Sequence, residues 1–146
     1  MDVIRIPKEK TESVWILVKE YIRNALIYSG SHHHTDHYKD LIKDGKLQLW
    51  IIWDEKKPNV DEQFNGLVLS QIIQRSIKKV LHLPMVTGKN RQQWQDLIVK
   101  IENFAIDQGC DCMELIARPG WQKILNKHKY YRTHVVLEKN LKTEEK

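Results

Sequence analysis

The stretch GCDCMELIARPGW, residues 109–121, places the tightest constraint on how this chain can fold. Residues 110–117 are mostly apolar, with Asp111 and Glu114 as their only charges, and read as a short strand entered from a helix that Gly109 ends. Arg118-Pro119-Gly120 then breaks the strand. Pro119 cannot donate to a ladder, but its fixed φ suits the first turn of a helix, so WQKILNKHK is predicted to begin a helix at about Trp121. A strand that stops at a Pro-Gly turn and feeds a helix is a common place to build a ligand site.

The rest of the chain supplies partners for that strand. Val3-Ile4-Arg5-Ile6 alternates as a first strand, ended by Pro7. Val14, Leu17, Val18, Tyr21, Ile22, Ala25 and Leu26 then recur at helical spacing, with Lys19, Glu20, Arg23 and Asn24 mostly opposite, and predict a long helix that Ser29-Gly30-Ser31 closes. A short helix is expected over residues 36–43 and ends at Gly45. Residues 46–54 place Leu47, Leu49, Ile51 and Trp53 on one strand face, against Gln48, Trp50 and Ile52 on a second, partly covered face. Residues 64–74 and 79–86 predict the next two strands, linked through Arg75-Ser76-Ile77-Lys78. Pro84 lies inside the second of these, where the missing N–H requires an edge or a bulge, so the strand should bend or part from a neighbour there. Thr87-Gly88-Lys89-Asn90 leads to a helix with Trp94, Leu97, Ile98, Ile101, Phe104 and Ala105 as its buried stripe. A last strand is predicted over residues 130–139, followed by a solvated tail to residue 146.

These elements run β-α-α-β-β-β-α-β-α-β and imply an α/β (α+β) domain with one mixed sheet and helices on both faces. The crossover through the Trp94 helix should make its flanking strands parallel neighbours. A length of 146 residues suits one domain spanning 1–146. No apolar run approaches the length of a membrane span, and Met1-Asp2-Val3 lacks the basic start of a secretion signal, so a cytoplasmic location is expected. Cys110 and Cys112 share a strand face two residues apart, too poorly placed to bridge each other, and are expected to be buried free thiols. The net charge of +5 comes from 24 Lys and Arg against 19 Asp and Glu. The basic residues are interleaved with acidic ones rather than gathered in a stripe, which argues against a dedicated nucleic-acid surface and is compatible with an anionic small ligand.

Four sequence cues carry a resemblance: Gln48-Leu49-Trp50, Ala105 with Gly109-Cys110, Arg118-Pro119-Gly120-Trp121, and Tyr130-Tyr131. With the element order, they resemble the GNAT superfamily of acyl-CoA N-acyltransferases, and most closely its small phage-encoded members. The resemblance implies a GNAT-like sheet whose fourth and fifth strands splay apart, with the pantetheine arm of acetyl-CoA in the gap. It places the pyrophosphate loop at residues 87–92, so that Met85, Val86, Thr87, Gly88, Lys89, Asn90, Arg91 and Gln92 are the expected cofactor-binding residues, joined by Arg118 at the rim. It implies His82 or Glu114 as general base and Tyr130 or Tyr131 as acid, acting on a small-molecule or protein amine, and no metal. A homodimer fits the same resemblance, and a phage-encoded protein would reside in the host cytoplasm or the virion.

The chain also departs from the family. Its loop, TGKNRQQ, has one glycine where the family pattern Q/R-x-x-G-x-G/A has two small residues, and Leu125 stands near the position of the proton-donating tyrosine. These departures motivate the alternative of a catalytically inactive GNAT-fold phage protein serving as a virion component or accessory binding factor. His82 could equally be a histidine on the less buried face of its strand, and Arg118 could bond carbonyls at the strand end instead of a ligand. Trp50, Trp53, Trp94 and Trp121 read as core. His33 and His37 are spaced to share a helical face, as zinc ligands can be, within a His-rich loop that reads more simply as solvated.

Overall fold

The central strands are apolar at nearly every position, and the fold must therefore cover both of their faces. The computed structural model, which describes residues 1–29, 33–117 and 119–142, does so with helices on each side of a five-stranded sheet. The strands β1 (Asp2–Ile6), β2 (Gln48–Trp53), β3 (Phe64–Gln74), β4 (Lys79–Gly88) and β5 (Cys112–Leu115) lie in the order of their numbers. The first four pair antiparallel, and β5 lies parallel to β4. The parallel pair is the one expected across the helical crossover.

Helices α1 (Thr11–Ser29) and α2 (Thr35–Lys43) cover one face. Trp15, Val18, Ile22, Leu26 and Ile42 meet Leu49, Ile51, Leu67, Leu69 and Met85 there. A one-turn helix α3 (Val60–Gln63) precedes β3 and is capped by Asn59, whose side chain accepts the Glu62 N–H at 2.9 Å. The second face is covered by α4 (Arg91–Trp94), α5 (Ile98–Asp107) and α6 (Pro119–Leu125), which bring Trp94, Ile98, Ile101, Trp121 and Leu125 against Trp50, Ile52, Val68, Leu81 and Leu83. Each fully buried Leu or Ile contributes about 1.5–3 kcal/mol, so these two layers hold the sheet between them.

The helix expected as one amphipathic stretch after residue 90 is broken into α4, a 3-10 turn over Gln95–Leu97, and α5. Trp94 leaves helical geometry at φ −130° and ψ −1°, and its indole N–H donates to the Lys89 carbonyl at 2.7 Å. That bond draws the ring inward, and the tighter turn carries the chain into α5.

Pro84 acts as its chemistry requires. Leu69 pairs with Met85 and Gln71 with His82, so Ser70 alone opposes both Leu83 and Pro84, which is a β-bulge on β4. On the other side, β4 pairs with β5 only from Val80 to Leu83, while β4 itself continues to Gly88. The last bond between them is Ile116 N–H to the Leu83 carbonyl at 3.2 Å. The two strands part at Pro84.

Two expectations are corrected. The segment 130–139 forms no strand: residues 130–142 are neither helical nor paired in the sheet, and Val135, Val136 and Leu137 are 62%, 79% and 90% exposed. The root of the segment is held on α6 instead, where Tyr130 N–H donates to the Leu125 carbonyl and Arg132 donates to Gln122. An alternating apolar sequence makes a segment competent to form a strand, but pairing depends on which edge it reaches. The thiols are free as expected yet not buried, because β5 is short and at the sheet edge, leaving Cys112 exposed and Cys110 half-buried.

Ser70, opposite the bulge, is fully buried and accepts the Trp50 indole N–H at 2.9 Å while donating to Gln48 at 2.8 Å. Replacing it with alanine strands a buried indole donor. Ser70→Ala is expected to cost about 1–3 kcal/mol, lowering the thermal midpoint by roughly 2–4 °C per kcal/mol. A melting curve superimposable on that of the unaltered protein would show that this bond does not hold the strands in place.

Candidate functional site

The alternation of β4 decides what lies beside the parting point. Leu81 and Leu83 face the α5 side, so His82 faces the α1 side, and its parallel register partner Glu114 shares that face. His82 Nδ1 lies 3.0 Å from Glu114 Oε1. A carboxylate only accepts, so this nitrogen carries the proton and Nε2 retains its lone pair. Arg75 closes the other side of Glu114 with a two-pronged contact, Nη2 to Oε1 at 2.5 Å and Nη1 to Oε2 at 3.1 Å. The structure thus brings together two residues expected from the sequence and one that was not.

Charge and burial set the protonation states of this group. The Arg75 hydrogen bond, with His82 nearby, holds the Glu114 carboxyl below its usual range. Burial lowers the pKa of His82, and Arg75 adds to that, against the opposing pull of Glu114. His82 is therefore neutral near pH 7, held in one tautomer, with Nε2 available as a base. Arg75 lies in the β3–β4 turn, 39 residues from Glu114, and no local motif marks it. The signal that could have found it is its place at the end of a hairpin whose second strand carries His82.

Past Leu83 and Leu115, the gap between β4 and β5 opens toward α4 and α6. An apolar cavity of about 20 Å³ lies under this face, lined by Val3, Ile52, Val68, Leu83 and Leu115 of the sheet and by Trp94 and Trp121 of the helices. That is room for about one water molecule. The Trp94 and Trp121 rings border it with their centres 5.8 Å apart, and the Arg91 guanidinium lies 5.3 Å from the centre of Trp121.

The loop after β4 is a tightly built turn. A Cβ on Gly88 would approach the Asn65 carbonyl oxygen to 2.3 Å, so only glycine fits. Lys89 N–H is already spent on the Asn65 carbonyl at 2.7 Å, and its ammonium is on the Asp61 carbonyl at 2.5 Å. Asn90, left-handed at φ 57°, donates from its side chain to that of Asn65 at 2.9 Å. Two buried polar atoms here, Arg91 Nε and Gln95 Oε1, have no hydrogen-bond partner among the described residues. In relation to an acyl-CoA, the unpaired edge of β4 from Met85 through Thr87, the cation of Arg91 and these two orphaned atoms suit an anionic, amide-bearing ligand. The narrow cavity suits it only once the tryptophan rings shift.

Tyr130 and Tyr131, the expected acids, have different environments. The Tyr130 hydroxyl donates to Glu102 on α5 at 2.6 Å and contacts Met113 Sδ at 3.9 Å, and burial with the Glu102 charge drives its pKa upward. Tyr131 is 79% exposed. Leu125 is packed in the core. Arg118 lies outside the described residues, as does His32. His33 and His37 stack at 4.5 Å, and among the described residues no group of three or more potential ligands is placed to hold a metal.

No family model matches the chain, and no curated protein matches it in sequence. Its fold is nevertheless shared with many solved structures. A probable acetyltransferase superposes with a TM-score of 0.69 at 11% identity, covering 100% of both chains. Glucosamine-6-phosphate N-acetyltransferase from Arabidopsis thaliana gives 0.64 at 12% identity, covering 97% of this chain and 98% of that one. Ribosomal-protein-alanine N-acetyltransferase from Brucella melitensis biovar Abortus 2308 gives 0.63 at 12%, covering 98% and 100%. The chain has the fold of these acetyltransferases, the GNAT fold, in its mixed five-stranded sheet and flanking helices.

The opposing influences on His82 yield a paired test. In an NMR titration, His82 should titrate below its ordinary value of 6.5. Glu114→Gln should lower it further, and Arg75→Gln should raise it. Because the folded value is depressed, the contribution of His82 to stability is present above pH 6.5 and is lost as pH falls through the folded value. Shifts of the same sign in both variants would contradict the geometry.

Proposed function

We propose that this chain is an acyltransferase-like protein of the GNAT superfamily that transfers an acetyl group from acetyl-CoA to an amine. The observation that carries the reading is the position of the His82–Glu114 pair directly before the point where β4 and β5 part. The gap leads from the α5 side of the sheet, where the cofactor loop lies, toward the α1 side, where His82 presents its free nitrogen. Structural neighbours named for acetyl transfer to an alanine terminus and to an amino sugar support an amine acceptor, either a small molecule or a protein.

In this reading acetyl-CoA supplies the activated acyl carbon. Backbone groups of Met85, Val86 and Thr87 hold its amide-bearing arm, while Gly88, Lys89, Asn90, Arg91 and Gln92, with Arg118 at the rim, hold its phosphates. His82 Nε2 takes the proton of the attacking amine, and Glu114, fixed by Arg75, stabilises the resulting imidazolium. The departing sulfur requires a proton. Tyr130 must first release Glu102 to supply it, and Tyr131 is the alternative donor. Among the described residues no helix is long and apolar enough to cross a membrane, and we place the protein in the cytoplasm, or in a virion if it is phage-encoded.

A second reading is favoured by the filled cleft. A cavity of about 20 Å³ closed by Trp94 and Trp121, beside a loop whose Lys89 N–H is already bonded, is what a fold retained without its chemistry would show. Such a protein would act as a virion component or accessory binding factor.

Titration calorimetry with acetyl-CoA separates the two. The enzyme reading expects saturable heat and acetylation of a presented amine detectable by mass spectrometry. His82→Gln should then lower kcat/KM by about 10²–10⁴-fold while acetyl-CoA still binds. The absence of heat at millimolar acetyl-CoA would remove the enzyme reading and leave the second.

A further inference from the structure

The group that orients His82 carries more hydrogen-bond donors than it uses. A guanidinium presents five N–H bonds, and Arg75 spends two of them on Glu114, one from each terminal nitrogen. Its Nε–H and the second N–H of Nη2 lie side by side as a further fork, and neither bonds to any of the described residues. The Arg75 side chain is 50% exposed, against 30% for Glu114 and 17% for His82, so the guanidinium is the most open member of the group. His82 Nδ1 and Arg75 Nη2 meet at the same oxygen, Glu114 Oε1, which brings the free imidazole nitrogen and the spare fork within reach of one small molecule. Gln71 lies opposite His82 across the β3–β4 ladder, on the same face, and adds an amide beside the ring.

We propose that Arg75, His82 and Gln71 form a binding site for a small amine that carries its own carboxylate or phosphate a few bonds from the nitrogen, and that this amine is the acetyl acceptor. The charges of the group select such a ligand. Both oxygens of Glu114 are bonded already, and Asp111 accepts the Lys79 N–H at 2.9 Å. A second ammonium on the acceptor therefore finds no unengaged carboxylate in the group. An anion finds the spare fork and the exposed Lys78, whose carbonyl accepts the Arg75 N–H at 2.8 Å in the same turn. It also balances the positive charge that His82 acquires on taking the proton of the amine. Arg75 thus holds Glu114 with one edge and the acceptor with the other, and amines without an anion, polyamines included, are poor substrates. The acetyl transfer proposed above supplies the reaction on which this acceptor depends, whereas binding of the anion does not require it.

Matched pairs of amines provide the test: β-alanine against β-alaninamide, and O-phosphoethanolamine against ethanolamine. Each is titrated into the isotopically labelled protein without acetyl-CoA, at about 0.15 M NaCl to screen loose surface attraction, and followed by NMR at the Arg75 Nε–H and the His82 ring. β-Alanine or O-phosphoethanolamine should give a saturable shift at both groups, and the counterpart lacking the anion should give none. The member that binds identifies the anion as carboxylate or phosphate. In Arg75→Lys, which keeps a cation for Glu114 but has no second fork, the shift at His82 should be lost. With acetyl-CoA present, kcat/KM for the anionic amine should exceed that of its counterpart by about 10–100-fold, and the ratio should fall toward one in Arg75→Lys. Shifts that do not distinguish the members of either pair, or equal kcat/KM for both, would overturn the site and leave acetyl transfer standing. Saturable binding of the anionic amine by a protein that acetylates no amine would sink the acetyl transfer and leave the site standing.

Discussion

The structure depends on a single missing hydrogen-bond donor. Pro84 cannot continue a ladder, and the chain responds on both sides of β4: a bulge opposite Ser70 toward β3, and the end of pairing toward β5. A central strand interrupted in this way would be a defect if nothing compensated for it. Here the two cores compensate, because Leu83 remains packed on the α5 side and Met85 on the α1 side, so the strand keeps its pairing with β3 and its burial on both faces. The parting is therefore a stable feature of the sheet, and beyond Leu83 no strand among the described residues pairs with β4 on its β5 side.

The same geometry explains why the ionisable residues cluster where they do. Parallel register places His82 beside Glu114, and the hairpin between β3 and β4 returns Arg75 to the far side of that carboxylate. A partly buried imidazole, a carboxylate and a guanidinium in line fix a proton on one ring nitrogen and leave the other bare. Burial opposes the charged imidazole more than Glu114 supports it, so the ring is held neutral near pH 7. The opposite face of the sheet tells a different story, because there Trp94 and Trp121 line a small apolar cavity beside the parting strands. Whether the rings move or stay is the physical difference between a catalytic cleft and a retained scaffold.

Much of this was legible in residue patterns. The boundaries of β3, the bulge at Pro84, the helical stripes and the parallel crossover all follow from local rules of burial and backbone chemistry. His82 and Glu114 could be named as candidates, but their pairing depends on the register between β4 and β5, which lies 32 residues apart in sequence. Arg75 was invisible for the same reason. The break of the helix at Trp94 arises from an indole bond back to Lys89, a contact that periodicity does not encode. The last strand failed differently: Val135, Val136 and Leu137 have the right chemistry, yet their chain is anchored on α6 and meets no edge of its own sheet.

By itself, then, the sequence determined that the chain would make a covered mixed sheet interrupted at Pro84 and turned at Pro119-Gly120, because backbone donors and hydrophobic period are properties of each short segment. Tertiary structure alone decided that Arg75, Glu114 and His82 form one group, that two tryptophans line the cavity on the other face, and that residues 130–142 stay outside the sheet. Those outcomes depend on which segments become neighbours. Register and packing across the sheet settle that, and no single stretch of chain contains it.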